Sequence, residues 1–183
     1  VTGDIKVVTD EQGNVVVEEK NSWERIGKDN NIALLCDSTN ADRSGFSASE
    51  AKVYQTLEEI IRTTRGRLII GTFASQFDRL ISVIKSCELL GKKVVLEGRS
   101  IKTHIDIALT AKMLEVDPKV FIDATHIGDY PADKIVVLST GAQGEEYAAL
   151  MRMATEKHKS INLTERDTVV LSSSVIPGNE ISV

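Results

Sequence analysis

Five times in this chain an apolar run too short for a helix gives way to small or hydroxyl-bearing residues. That repeated plan constrains the fold more than any bulk property. The clearest instance is residues 67–79, RLIIGTFASQFDR. Leu68, Ile69 and Ile70 predict a strand buried on both faces. The run breaks at Gly71 into Thr72, Phe73, Ala74 and Ser75, after which Phe77, Leu80, Ile81 and Ile84 fall on one face of a helix. Ser75 is the expected N-cap, and Asp78 lies in the first turn, where the helix dipole favours an acid. Residues 33–40 (ALLCDSTN), 93–100 (KVVLEGRS), 135–145 (IVVLSTGAQGE) and 168–174 (TVVLSSS) follow the same plan. Strands alternating with helices imply parallel pairing through right-handed crossovers, hence an α/β three-layer sandwich with a mostly parallel, Rossmann-like sheet. In such a sheet the strand ends share one edge, and ligands bind in the crevice there. The expectation is one composite polar rim.

The intervening segments fill in this plan. Residues 1–19 read as two short strands about a turn at 9–14, and residues 20–31, with Trp23, as a crossing segment. A capping box at Ser47–Glu50 opens a helix to about Thr64, with Val53, Leu57, Ile60 and Ile61 inward. The helix after Ser75 is expected to stop at Gly91. Another should run from Ser100 to about Leu114, with Ile101, Ile105, Ala108 and Leu109 inward. A short strand is expected at 119–123 and a helix at 144–158. A start without Met, inside a strand-like run, suggests an excised piece.

The charge balance is 22 − 27 = −5, which disfavours a nonspecific nucleic-acid binder. It is uneven, however: from Arg62 to Lys102 nine Lys or Arg stand against three acids, in the segment that holds the leading strand. Nothing approaches the roughly eighteen apolar residues of a membrane span. Cys36 and Cys87 lack metal or redox spacing and read as reduced, core-lining thiols of an intracellular protein.

Candidate chemistry is sparse. His104, His126 and His158 form no His-x-His or His-x-x-x-His pair, so this chain alone is not expected to build a metal site. Hydroxyls cluster at Ser139-Thr140 and Ser172-Ser173-Ser174, but no Gly-x-Ser-x-Gly elbow is present. Residues 140–145 carry two glycines without the lysine or spacing of a phosphate loop. Asp4 and Asp37 each flank a β-like run. Their simplest role is in turns.

Six ordered stretches carry a resemblance: TGDIK at 2–6, LLCDSTNADRSGF at 34–46, TFASQFDR at 72–79, LEGRS at 96–100, LSTGAQGE at 138–145 and LSSSVIPGNE at 171–180. Together they resemble the ribonuclease J family, in the β-CASP branch of the metallo-β-lactamase fold. The resemblance covers essentially the whole chain. It implies a ribonuclease acting endonucleolytically and from the 5′ end, with two zinc ions activating a water. It implies that residues 1–36 are strands of the metallo-β-lactamase domain and 37–183 the β-CASP domain. Asp4 resembles the metal-bridging ligand, and Asp37 an acid that partners a leaving-group histidine. Ala74, Ser75 and Gln76 match an Ala-Ser-Asn triplet that contacts substrate, with Gln in place of Asn. Arg79, Arg99, Ser139, Thr140, Ser172, Ser173 and Ser174 complete the expected RNA-holding set. The histidine-rich ligand motifs are not in this sequence, so the chain alone is expected to be inactive and to retain no zinc. The parent is expected to be cytoplasmic and homo-oligomeric, with RNA as partner. A non-catalytic nucleic-acid-binding or assembly module, a β-CASP hydrolase of another nucleic acid, and a small-molecule Rossmann-like binder are the alternatives.

Overall fold

The computed structural model describes residues 1–2, 7, 10, 14–38, 41–42, 44, 48–142, 145 and 148–173. It divides into two compact units, Val1–Thr56 and Leu57–Val183.

In the first unit local sequence dominates. Helix α1, Val17–Lys28, occupies what was expected to be strand and crossing segment. Its charges explain the change: Glu18 and Glu19 sit in the first turn and Arg25 and Lys28 in the last, each complementing the helix dipole. Trp23 Nε1 donates to Glu19 Oε1 at 2.8 Å, one turn away. No residue of α1 is buried. The turn before it is held by Asn14 N donating to Asp10 Oδ1 at 2.8 Å. The run at 33–38, expected to be a strand, is irregular, and Leu34 and Leu35 are 65% and 60% exposed. Cys36 is exposed as well, not core-lining. A strand needs a neighbour for its backbone groups, and among the described residues the backbone bonds to this stretch run from Thr2 N to Leu35 O, 2.9 Å, and from Ala41 N to Ser38 O, 3.0 Å. Helix α2, Glu50–Thr63, starts two residues later than a Ser47 cap implies and continues into the second unit from Leu57. Ser49 Oγ accepts from Lys52 N at 3.3 Å, while Ser47 of the expected capping box lies outside the described residues. Leu57 and Ile61 are its buried residues, with Val53 and Ile60 half-buried.

The second unit is built on parallel strands. After β1, Leu68–Gly71, come α3 (Phe77–Leu89), β2 (Lys93–Glu97), α4 (Arg99–Thr110), β3 (Ile135–Ser139), α5 (Ala149–Ala154) and β4 (Thr168–Leu171). The sheet order is β2-β3-β1-β4, every pairing parallel. All residues of β1 and β3 are buried, as the uninterrupted apolar runs require. Ile69, Val137 and Val95 stand side by side and pack with Ala149, Leu150, Met153 and Ile161 into one cluster. Alternate residues such as Leu68, Ile70, Val136 and Leu138 point to the other face. Among the described residues α3 and α4 contribute nothing to that cluster, and both run beside β2. The sheet is therefore the middle of three layers.

The edge strand β4 is held differently from the inner ones. Its residues are mostly exposed. At its entry, Arg67 grips Asp167 with two bonds, Nε to Oδ1 at 3.0 Å and Nη2 to Oδ2 at 2.5 Å. Bidentate geometry of this kind is the strong form of an ion pair.

Helix ends follow sequence where glycine is available. Gly91, at φ 62°, donates to Glu88 O, and Lys92 N donates to Cys87 O at 2.8 Å, a Schellman turn ending α3 where expected. The Cys87 thiol beneath it is buried, as expected, and burial pushes its pKa up to about 12. The helix predicted over 100–114 spans Arg99–Thr110, and Leu109 faces outward while Leu114 is buried beyond its end.

Two expectations failed here. The strand at 119–123 is replaced by 3-10 turns at Pro118–Val120 and Ala124–Asp129. Asp117 and Asp123 cap these turns by accepting from Lys119 N and Thr125 N, each at 2.9 Å, and only a single bridge from Phe121 to Val94 remains. Of the helix expected over 144–158, the described residues form only Ala149–Ala154, while 144, 146 and 147 lie outside the described residues. Leu150 N is drawn to Thr140 O at its start, and Glu156, at φ 57°, turns the chain at its end. No helix among the described residues is long and apolar enough to cross a membrane.

Candidate functional site

Parallel register brings the strand ends together. Gly71 pairs with Ser139 and with Leu171, and Glu97 pairs with Ser139. The residues just past these ends continue the ladder. Thr72 N donates to Ser139 O (3.0 Å), Thr140 N to Glu97 O (3.1 Å) and Ser172 N to Gly71 O (2.8 Å). Ser75, Arg99, Thr140 and Ser173 therefore lie along one carboxyl edge of the sheet, as the repeated strand plan requires.

The side chains of this rim divide into those that build it and those it presents. Arg79 is 8% exposed and donates through Nη1 to Ser172 O and Ser172 Oγ, at 2.9 and 3.0 Å. It braces the exit of β4 from inside. Ser139 is fully buried, with its hydroxyl donated to Thr140 O. Ser173 Oγ donates to Ala142 O at 2.8 Å, tying the β4 exit to the loop after β3. Thr140 accepts from Leu150 N through its carbonyl, and its side chain packs where a Cβ on Gly98 would sit, 2.6 Å from Oγ1. Gly98 has φ 115°, so glycine is required there on both counts. The Thr72 hydroxyl is buried with no hydrogen-bond partner among the described residues.

Ser75 is exposed and Ala74 and Gln76 are half-buried, in the turn leading to α3. Gln76, not Ser75, is the N-cap of α3, and it makes no side-chain cap bond. The first backbone N–H groups of α3 consequently lack a side-chain cap, the arrangement that accepts an anion. Arg99 is exposed at the first position of α4, after a glycine N-cap. A cation at a helix N-terminus opposes the dipole, by about 0.3–1 kcal/mol.

Asp37 is half-buried in the first unit, its backbone N donating to Thr2 Oγ1 at 3.2 Å. Asp4 and Ser174 lie outside the described residues. Among the described residues no three His, Cys, Asp or Glu side chains converge to hold a metal ion. One polar pair was not legible from spacing: His158 Nε2 lies 3.3 Å from Glu97 Oε2, 61 positions away in sequence. His158 Nδ1 accepts from Ser160 N and Ile161 N, at 3.3 and 3.2 Å. That occupancy places the proton of the neutral ring on Nε2, directed at Glu97.

Comparisons with known proteins converge on one family. A family model described as "Ribonuclease J, beta-CASP domain" matches residues 65–183. Ribonuclease J of Mycolicibacterium smegmatis is 42% identical over 159 residues, covering 87% of this chain and 28% of that protein. Ribonuclease J of Sinorhizobium meliloti is 39% identical over 179 residues, covering 98% and 31%. Ribonuclease J2 of Bacillus subtilis is 36% identical over 157 residues, covering 86% and 28%. The chain thus spans less than a third of the length of these curated relatives.

Proposed function

We propose, for a chain that belongs to the ribonuclease J β-CASP family, that the carboxyl edge of its sheet holds the RNA backbone for a parent ribonuclease. What supports this reading is the alignment of four strand exits into one rim, with the uncapped start of α3 and the exposed Arg99 both on it. Ser75, Gln76 and the first N–H groups of α3 would take a phosphate or ribose, and Arg99 a neighbouring phosphate. Arg79, Ser139, Ser172 and Ser173 would keep that surface in shape. Contacts of this kind position a strand without reading its sequence, which suits the degradation of many RNAs.

The parent's hydrolysis is read as metal-dependent, with zinc as the ion and Asp4 as one ligand. The described residues do not fit a metal ion on their own, so the role derived for them is to grip and orient. Asp37 is read as the partner of a histidine supplied elsewhere in the parent. A cytoplasmic, homo-oligomeric parent belongs to the same reading, as does assignment of residues 1–36 to the metallo-β-lactamase domain. The chain alone is expected to bind RNA and not to cleave it.

Fluorescence anisotropy with a labelled single-stranded RNA, repeated across a salt series, tests the proposal. The expected outcome is saturable, salt-sensitive binding. Arg99→Ala should weaken it several-fold and reduce the salt slope by about 1. Binding that is absent, or untouched by this substitution and by salt, would overturn it.

A further inference from the structure

Beyond the end of β2 lies an open pocket of about 410 Å³, within the range of small-molecule sites. Its walls come from three separate places: Glu97 at the tip of β2, Asp123 at the cap of a 3-10 turn, and the segment that follows α5. That segment supplies Lys157, His158 and Lys159, and α5 itself adds Arg152.

The charges in this pocket do not balance. Glu97 is engaged already, hydrogen-bonded by His158 Nε2 at 3.3 Å and paired with Lys102 Nζ at 3.9 Å. Asp123 keeps its charge, its Oδ1 accepting from Thr125 Oγ1 at 2.7 Å and from Thr125 N at 2.9 Å, so two acids face the three cations Arg152, Lys157 and Lys159. These bonds hold its carboxyl below the usual carboxylate range, Thr125's hydroxyl foremost. Lys157 and Lys159 have no ion pair among the described residues, and both are exposed. The two walls are joined by a rigid latch, because His158 is held at both ring nitrogens. The latch keeps the lysine-bearing segment over the opening without consuming its charge.

We propose that this pocket binds the phosphate of a nucleotide-sized ligand, with Lys157 and Lys159 as the anion-holding groups and the His158–Glu97 latch setting their position. The ligand is either a free mononucleotide or one nucleotide of an RNA strand. The site adjoins the rim at Glu97, but its cationic groups belong to α5 and the segment after it and not to the exposed rim residues Ser75 and Arg99.

The test is a two-dimensional NMR titration of the 15N-labelled 183-residue chain with AMP, with adenosine and with a ten-nucleotide RNA. AMP, the RNA or both should shift the amides of Ser160 and Ile161 saturably, whereas adenosine should not. A response to AMP identifies a free nucleotide as sufficient, and a response to RNA alone identifies a strand. The double variant Lys157→Ala/Lys159→Ala changes only exposed side chains, and its preserved spectrum serves as the folding control. It should weaken the effective ligand at least fivefold. Arg99→Ala should leave an AMP titration unchanged, which separates this site from the rim. The proposal is overturned if neither phosphate ligand moves those amides saturably, if adenosine moves them as AMP does, or if the lysine variant binds with unchanged affinity.

Discussion

The two units treat the same kind of residue in opposite ways. In the second, the runs LIIG and IVVLS are wholly buried between neighbouring parallel strands. In the first, Leu34 and Leu35 belong to an equally apolar run yet are more than half exposed. Among the described residues, the difference is the presence of a partner strand. A strand is stabilised by the ladder beside it and the layers over it, so β-propensity alone does not form one. The first unit instead keeps what needs no partner: a charge-complemented helix, an Asp10–Asn14 turn and a serine-capped helix start.

The largest test of this contrast is a pair of truncations. Ile69→Ala should cost about 2–5 kcal/mol in chemical denaturation, since the site is buried in the one-face cluster. Leu35→Ala should stay within about 0.5 kcal/mol, as exposed substitutions do. Equal costs would mean that the run at 33–38 is packed in solution and that the contrast is false.

Next in size is the clamp on the edge strand. Asp167→Ala strands the Arg67 guanidinium, whose side chain is only 13% exposed, and should cost about 3 kcal/mol. Amide exchange should rise in β4 before it rises in β1 or β3. Uniform exchange across the sheet would remove the distinction between clamped edge and packed centre.

The alkaline response concerns the buried layer alone. The Cys87 thiol is raised by burial from 9.0 to about 12, so above pH 9 the unfolded chain gives up this proton while the folded one keeps it. Stability should therefore fall as pH rises from 9 towards 12, by at most about 1.4 kcal/mol per unit. Lys92, lowered chiefly by desolvation, acts the other way: below the ordinary lysine value of 10.5 the folded state is first to release that proton, so rising pH relieves its burial cost. Denaturation midpoints at pH 8 and 10 should draw closer together in Cys87→Ala. An unchanged interval would show that the thiol is not buried as described.

The smallest effect is at the rim. Thr72→Val removes a buried hydroxyl with no partner among the described residues and should stabilise by about 1 kcal/mol. A loss of stability would mean that the hydroxyl is bonded in solution.

Most of the parallel sheet was readable because its signals are local and strong: uninterrupted β-branched runs, helical periodicity after each, and Gly91 as a stop. What went astray depended on partners distant in sequence or on competition between short-range signals. Lys119–Asp123 has strand-forming residues, but Asp117, Pro118 and Asp123 favour capped 3-10 turns. Val15–Val17 suggested a strand, yet Glu18, Glu19 and the Trp23–Glu19 bond favour a helix. At the rim, the strand plan located the edge, but hydroxyl and arginine identity could not say which side chains face out. Ser139 and Arg79 turn inward because their own neighbours offer acceptors. The Glu97–His158 pair left no sequence signal, since it exists only once β2 and the segment after α5 are packed.

Hydrogen–deuterium exchange of the chain with and without single-stranded RNA most directly tests whether the carboxyl edge is the gripping surface. The account predicts that RNA slows exchange at the first turn of α3, around residues 98–100, and at 140 and 172–173. Protection confined to the opposite edge, around Arg67 and Asp167, or to Val1–Thr56, would contradict it.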